Sequence, residues 1–161
     1  MRVLLLIDVA GVPIVHVARV DGQPMQSDEK AEQRQRVERN YLRFLAHVVA
    51  EVKRACQEGA LVFILEDAAL RGRTHPAILY ALGDRPHLCG RKGLHNGAPV
   101  VLDGLAMLDH APEAIDVAGA LTDVCVRETV QGLREVLGRE RVRVLPGCCF
   151  DEEWDDAVHG A

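Results

Sequence analysis

The chain has 161 residues, of which 48% are hydrophobic and 27% charged, a composition typical of a globular protein with an ordinary core. Its formal net charge of −5 argues against nucleic acid or an anionic membrane as the partner, so we expect a small-molecule substrate. Five cysteines, an odd number, and an opening segment MRVLLLID that is too short for a signal peptide or a membrane span predict reduced thiols and a cytoplasmic location.

Short apolar runs rich in branched residues alternate with segments of helical periodicity along the chain. The runs predict strands that are buried on both faces, at 3–7, 61–65, 115–118 and 142–145, with a weaker strand at 87–89. Helices are predicted at 28–58, at 76–82 and after Gly119. This alternation is typical of an α/β fold with a mainly parallel central sheet flanked by helices, here in a single domain covering 1–161.

The segment 116–133 carries the strongest functional signal. An apolar strand runs into a small-residue turn at Gly119, and a new helical period then begins, with Thr122 or Asp123 as the candidate cap. Cys125 therefore falls in the first helical turn. Because free N–H groups and the helix dipole favour a thiolate there, we expect the pKa of Cys125 to be lowered.

Two further residues are predicted to lie near this cysteine. Asp8 ends the first strand, and Lys92 follows the weak strand, so both should reach the edge of the sheet where the carboxyl ends of parallel strands meet. A carboxylate beside a thiol acts as a base, and an ammonium group stabilises a thiolate. Free backbone N–H groups in the turn at 119–121 could bind an oxyanion.

These residues resemble the isochorismatase-like cysteine hydrolase superfamily, which includes nicotinamidases. The shared features are an apolar first strand ending in Asp8, a mid-chain Lys92 and a G-x-x-T-D-x-C-V segment at 119–126. The resemblance implies a three-layer αβα, Rossmann-like fold. It also implies that Asp8 is the general base, that Lys92 stabilises the thiolate, and that Cys125 is the nucleophile forming a thioester acyl-enzyme with a small amide or related carbonyl compound.

The resemblance implies further details of the site. A non-proline cis peptide is usual in the superfamily and would fall between Ala120 and Leu121, a costly geometry that tends to persist where a site uses it. It would direct the N–H groups of Leu121 and Cys125 at the oxyanion. The resemblance also implies a homo-oligomer.

The chain departs from the superfamily pattern in two places. Residues 9–13 read VAGVP where Gln and an aromatic residue usually follow the aspartate, so the substrate is not predicted. Metal-binding nicotinamidases carry D-x-H-P after the second strand, where this chain reads EDAA at 66–69. His75, His87 and His95 lack the tight spacing of metal ligands, so we expect neither a metal nor a cofactor.

Each candidate also has a purely structural interpretation. Cys125 could be a small buried hydrophobe, Asp8 a turn cap and Lys92 a solvated loop charge. We interpret Cys148 and Cys149 as buried structural thiols rather than a redox pair. Besides the cysteine hydrolase that we favour, two functions stay open: a catalytically degenerate binding or assembly module, and a phosphatase-type aspartate loop, which would need an acid at position 10.

Overall fold

The computed structural model describes residues 1–10, 27–68, 73–93, 95–108, 111–120 and 122–150. Its strands are Arg2–Ile7 (β1), Leu61–Asp67 (β2), Leu88–Lys92 (β3), Ala114–Ala120 (β4) and Val142–Phe150 (β5). Its helices are Ser27–Glu58 (α1), Pro76–Leu82 (α2), Ala98–Ala106 (α3) and Arg127–Leu137 (α4). A π-helical turn at Thr122–Val126 precedes α4, and a 3-10 turn at Arg139–Arg141 follows it.

The strands form one sheet in the order β3-β2-β1-β4-β5, and every neighbouring pair is parallel. Side chains alternate between the faces of a strand, so β1 places Leu4 and Leu6 against α1 and α2 on one face. Its Val3, Leu5 and Ile7 pack with α3 and α4 on the other face. Both faces are covered, which explains the continuous apolar run and confirms the predicted three-layer α/β fold.

The strand order fixes where functional groups converge. From β1 the chain builds β2 and β3 on one side and then returns to build β4 and β5 on the other. The crossovers therefore diverge between β1 and β4, and in open parallel sheets ligands bind at the carboxyl ends of the strands beside such a switch point. Asp8 follows β1, and the π-helical turn follows β4.

The predicted elements differ from the structure at two points. Helix α3 was not predicted; its N-cap is Gly97, and the Oδ1 of the preceding Asn96 accepts a hydrogen bond from the backbone N–H of Ala98 at 2.9 Å. Strand β5 was predicted to end at 145, because Pro146 and Gly147 indicate a turn. Instead, β5 continues to Phe150 as an edge strand of the sheet, and its register with β4 shifts between Val117 and Gly119. An edge strand with such an irregularity tolerates proline and glycine.

Ion pairs surround a buried carboxylate near the amino ends of the strands. The buried carboxylate of Asp116 lies 2.5 Å from an Arg2 nitrogen and 2.7 Å from an Arg143 nitrogen. The two arginines compensate the charge of Asp116, as a buried charge requires.

No helix among the described residues combines the length and apolarity that crossing a membrane requires.

Candidate active site

Three of the residues singled out in the sequence meet at the carboxyl edge of the sheet. Lys92 is the last residue of β3, Asp8 follows β1, and Cys125 lies in the π-helical turn after β4. The Lys92 Nζ is 2.8 Å from Asp8 Oδ2 and 3.4 Å from Cys125 Sγ. A carboxylate, an ammonium group and a thiol are thus close together, an arrangement in which a cysteine nucleophile can be activated.

A second carboxylate, Asp67, completes this cluster and was not foreseen. Asp67 is the last residue of β2 and pairs in register with Lys92, whose Nζ lies 3.3 Å from Asp67 Oδ2. Its signal in the sequence was the same as that of Asp8, an acid at the end of an apolar strand. Because β1 and β2 are adjacent, two such acids necessarily lie side by side.

The Lys92 ammonium is buried among these groups, with only 1% of the side chain exposed. Burial lowers the pKa of Lys92, but contact with Asp8 and Cys125 raises it by more, so the net direction is upward. The side chain is therefore a permanent cation at neutral pH. Its attraction to two carboxylates offsets the large cost of removing it from water.

One oxygen or sulfur atom from each of Asp8, Asp67 and Cys125 lies within 4.8 Å of the others, a set of donors that could hold a metal ion. The Lys92 ammonium contacts all three residues, at 2.8 to 3.4 Å. It supplies the positive charge that such donors require, and their geometry is explained without an ion.

Asp8 has an unusual backbone and a buried carboxylate. Its φ of 52° is in the left-handed region, which aspartate tolerates better than most residues. Both carboxylate oxygens are buried, and no amide or hydroxyl group of the described residues donates to them. Burial raises the pKa of Asp8, while the hydrogen bond and charge of Lys92 oppose the rise. Such a carboxylate accepts a proton more readily than an exposed one.

The thiol of Cys125 does not have the lowered pKa expected from the sequence. Burial and the adjacent charge of Asp8 raise the pKa of Cys125 to about 11, and the Lys92 ammonium only partly opposes them. The expectation was wrong because it considered the helix start and the Lys92 cation but neither the burial of the thiol nor the charge of Asp8. It also placed the residue in the first turn of the helix, whereas α4 begins at Arg127.

The predicted helix cap is also wrong. The N-cap of α4 is Val126, and no side chain caps this helix. A π-helical turn occupies the position where Thr122 or Asp123 was expected to cap. Such turns are rare and occur frequently at functional sites.

The turn before Cys125 depends on a glycine. A Cβ atom on Gly119 would lie 2.5 Å from the backbone oxygen of Ile7, so β1 and β4 approach closely only because this residue lacks a side chain. Ala120 ends β4, and Leu121 lies outside the described residues. The predicted cis peptide between them and the N–H of Leu121 therefore also lie outside, whereas the N–H of Cys125 belongs to the π-helical turn.

Of the other residues considered in the sequence, the two cysteines and two of the three histidines have structural surroundings, and one histidine lies near Cys125. Cys148 and Cys149 are buried in the core, where burial raises their pKa values to about 12 and 11, as suits structural thiols. His75 caps α2, and His87 bonds to the loop before β3. His95 is different, because its Nδ1 is 3.8 Å from Cys125 Sγ, a proximity that the sequence did not reveal.

Comparisons with known proteins show what this fold is similar to. No protein-family model matches the sequence, and no curated protein matches it. Among solved structures, a ribonuclease from Caenorhabditis elegans matches with a TM-score of 0.65 and 14% identity, over 94% of this chain and 66% of that one. This chain thus spans slightly less than two thirds of the ribonuclease.

Two other matches are a nicotinamidase and an isochorismatase. The nicotinamidase, from Staphylococcus aureus, has a TM-score of 0.63 and 14% identity, over 99% of this chain and 87% of its own. The isochorismatase, from Pseudomonas putida, has a TM-score of 0.62 and 14% identity, over 92% of this chain and 70% of its own. The chain therefore has the isochorismatase-like three-layer α/β fold.

Proposed function

We propose that this protein is a cysteine hydrolase of the isochorismatase-like superfamily, which cleaves a small amide or a related carbonyl compound through a thioester on Cys125. The observation that carries the proposal is the buried cluster of Asp8, Lys92 and Cys125 at the switch point of the sheet. The nicotinamidase from Staphylococcus aureus and an N-carbamoylsarcosine amidase from Thermoplasma acidophilum, which also has a similar fold, support a carbon–nitrogen bond as the target.

In the first half of the proposed reaction, the sulfur of Cys125 attacks the substrate carbonyl carbon. The thiol proton passes to the carboxylate of Asp8, whose raised pKa favours this acceptance. Lys92 faces both atoms, so its charge stays compensated as negative charge moves from the carboxylate to the sulfur. The carbon–nitrogen bond then breaks, the nitrogen takes the proton from Asp8, and a thioester and a free amine remain.

In the second half, water hydrolyses the thioester. Asp8 takes a proton from the water while the oxygen of the water bonds to the acyl carbon. The carbon–sulfur bond then breaks. The proton returns to the sulfur and the acid leaves. The N–H groups of Leu121 and Cys125 are the proposed donors to the oxyanion in both halves, where preorganised backbone donors are most effective.

The proposal is tested with a panel of small carboxamides and detection of released ammonia. We expect turnover by the native protein and at least a thousandfold loss in Cys125→Ala, because the nucleophile is absent. Cys89→Ala is the matched control, since Cys89 is an exposed cysteine on β3 away from the cluster. Rapid acid quenching should trap an acyl group on the peptide containing Cys125, detected by mass spectrometry.

Equal turnover in the Cys125→Ala variant would contradict the proposal. Absence of both turnover and an acyl adduct across the panel would favour a binding or assembly module with this fold.

We also propose a homo-oligomer, since an octameric hydrolase from Escherichia coli has a similar fold. Light scattering tests that part, and a monomer at micromolar concentration would contradict it.

A further inference from the structure

His95 brings an imidazole close to the sulfur of Cys125. Its Nδ1 lies 3.8 Å from Cys125 Sγ, within hydrogen-bonding range for sulfur. His95 is exposed, whereas the sulfur and the Lys92 ammonium are each buried. His95 is therefore a solvent-exposed side chain next to a buried sulfur.

The loop that carries His95 is held by a buried hydroxyl. Thr129, on α4, is fully buried, and its Oγ1 accepts a hydrogen bond from the N–H of Gly97 at 2.9 Å. The same hydroxyl donates to the backbone oxygen of His95 at 3.4 Å. A single buried side chain thus fixes the loop at two positions, and this attachment determines where the imidazole lies.

We propose that His95 is a further catalytic residue, which donates a hydrogen bond from Nδ1 to the sulfur of Cys125 when negative charge develops there. The buried Lys92 ammonium donates to the same sulfur, so the nucleophile has two donors. This inference rests on the proposed role of Cys125. It adds a group that the resemblance to cysteine hydrolases did not supply.

A hydrogen bond to a negatively charged sulfur is shorter and stronger than one to a neutral thiol, so this donor has its largest effect when the thiolate forms. Among the described residues, the charged groups around the sulfur are Asp8 from the end of β1, Asp67 from β2 and Lys92 from β3. From α4, the loop is contacted by the uncharged Thr129 hydroxyl.

The test measures alkylation of Cys125 by iodoacetamide from pH 5.5 to 9.5, followed by mass spectrometry of the peptide that contains it. His95→Phe removes the donor, and His95→Gln keeps an amide N–H that can donate. We expect His95→Phe to react about tenfold more slowly than the native protein, because the thiolate loses one of its two donors. His95→Gln should recover part of this loss.

Two controls separate a chemical role from a structural one. His87→Gln, at the start of β3, removes a histidine from the other end of the strand and should leave the rate unchanged. Thr129→Val keeps the shape of the side chain but releases the loop, so it should reproduce part of the loss of rate seen in His95→Phe. Circular dichroism checks that every variant is folded.

Equal rates in the native protein and His95→Phe at every pH, or a rate in His95→Gln no higher than that in His95→Phe, would overturn the inference. Neither result depends on turnover, because iodoacetamide reports on the sulfur alone. Failure of the amide panel with a slower alkylation rate in His95→Phe would reject the hydrolase and keep the Cys125–His95 pair. The opposite combination would reject the pair and keep the hydrolase.

Discussion

Replacing Asp8 with asparagine should make Cys125 more reactive toward alkylation while destroying turnover. The carboxylate has opposite effects on these two quantities. Its negative charge beside the sulfur raises the pKa of Cys125, and the same carboxylate is the proposed acceptor of the thiol proton during catalysis. Asparagine removes the charge and the basicity together, and it tolerates the positive φ of this position as well as aspartate does.

The magnitude follows from the separation of the two groups. A carboxylate oxygen of Asp8 and the Sγ of Cys125 lie within 4.8 Å of each other. At an effective dielectric constant of about 20, two unit charges at that distance repel by about 3 kcal/mol. Removing the repulsion increases the thiolate fraction of Cys125 by roughly a hundredfold at a given pH, since each 1.36 kcal/mol is a factor of ten.

The measured gain will be smaller than the gain in thiolate. A thiolate of lower basicity is also a weaker nucleophile, with a Brønsted coefficient of about 0.4 to 0.5, so the alkylation rate at pH 7 to 8 should rise about tenfold. Turnover should fall by about a hundredfold or more, as expected for the loss of a general acid–base group. A charged group nearby that had no role in catalysis would change the first quantity and not the second.

The assay follows iodoacetamide labelling of Cys125 by mass spectrometry from pH 6 to 10. Asp67→Asn is the matched comparison, because it removes an equal charge at the end of the adjacent strand β2, 3.3 Å from Lys92. An Asp67 oxygen also lies within 4.8 Å of the Sγ, so labelling should rise in this variant too, but turnover should fall far less than in Asp8→Asn, because Asp67 is not the proposed proton acceptor. Labelling of Asp8→Asn at or below the native rate would refute the reasoning, since the carboxylate would then activate the resting thiol rather than suppress it.

Two further predictions concern the stability of the site, both measured by urea unfolding. Lys92→Met leaves two carboxylates without their buried cation, so we expect a loss of about 3 to 5 kcal/mol at pH 7. The pKa of Asp8 is already raised by burial and should rise further in this variant. The folded state then binds a proton more tightly than the unfolded state, so stability should recover as the pH falls from 7 to 5, and an equal loss at both values would contradict this. Gly119→Ala should cost about 2 kcal/mol or more, because its Cβ would lie 2.5 Å from the Ile7 backbone oxygen, which cannot move aside; unchanged stability would contradict the close packing of β1 and β4.

The sequence predicted the fold well where the pattern was unambiguous. The buried strands are recognisable as apolar runs, and α2 begins and ends where the periodicity indicated. The pattern failed at β5, because a proline and a glycine inside a strand mimic a turn unless the slip in register beside them is known. It also failed at α3, whose apolar residues do not contrast with a polar face strongly enough to mark a helix.

The site shows a similar division between order along the chain and proximity in space. Asp8, Lys92 and Cys125 were found because each follows a strand in an all-parallel sheet, and the topology then forces them together. The contact of His95 with the sulfur depends on the fold of one loop and on Thr129, more than thirty residues away. The raised pKa of Cys125 depends on burial, and no local pattern reports how deeply a side chain will lie.

The energetics of the cluster favour catalysis over a purely structural role. Replacing a buried ion pair by apolar residues of similar volume is often neutral or stabilising, so stability alone gives no reason to bury Lys92 with two carboxylates. Asp8 adds backbone strain, since a non-glycine residue in the left-handed region costs of order 1 to 3 kcal/mol and such residues cluster at functional sites. A binding module that no longer needed the chemistry would gain stability by losing these features. Accordingly, a variant in which Asp8, Asp67 and Lys92 are replaced together by glycine, valine and methionine, which removes the charges and the strain at position 8, should be at least as stable as the native protein at pH 7 and devoid of turnover. If it is instead several kcal/mol less stable, the cluster is needed for folding, and this argument for catalysis fails.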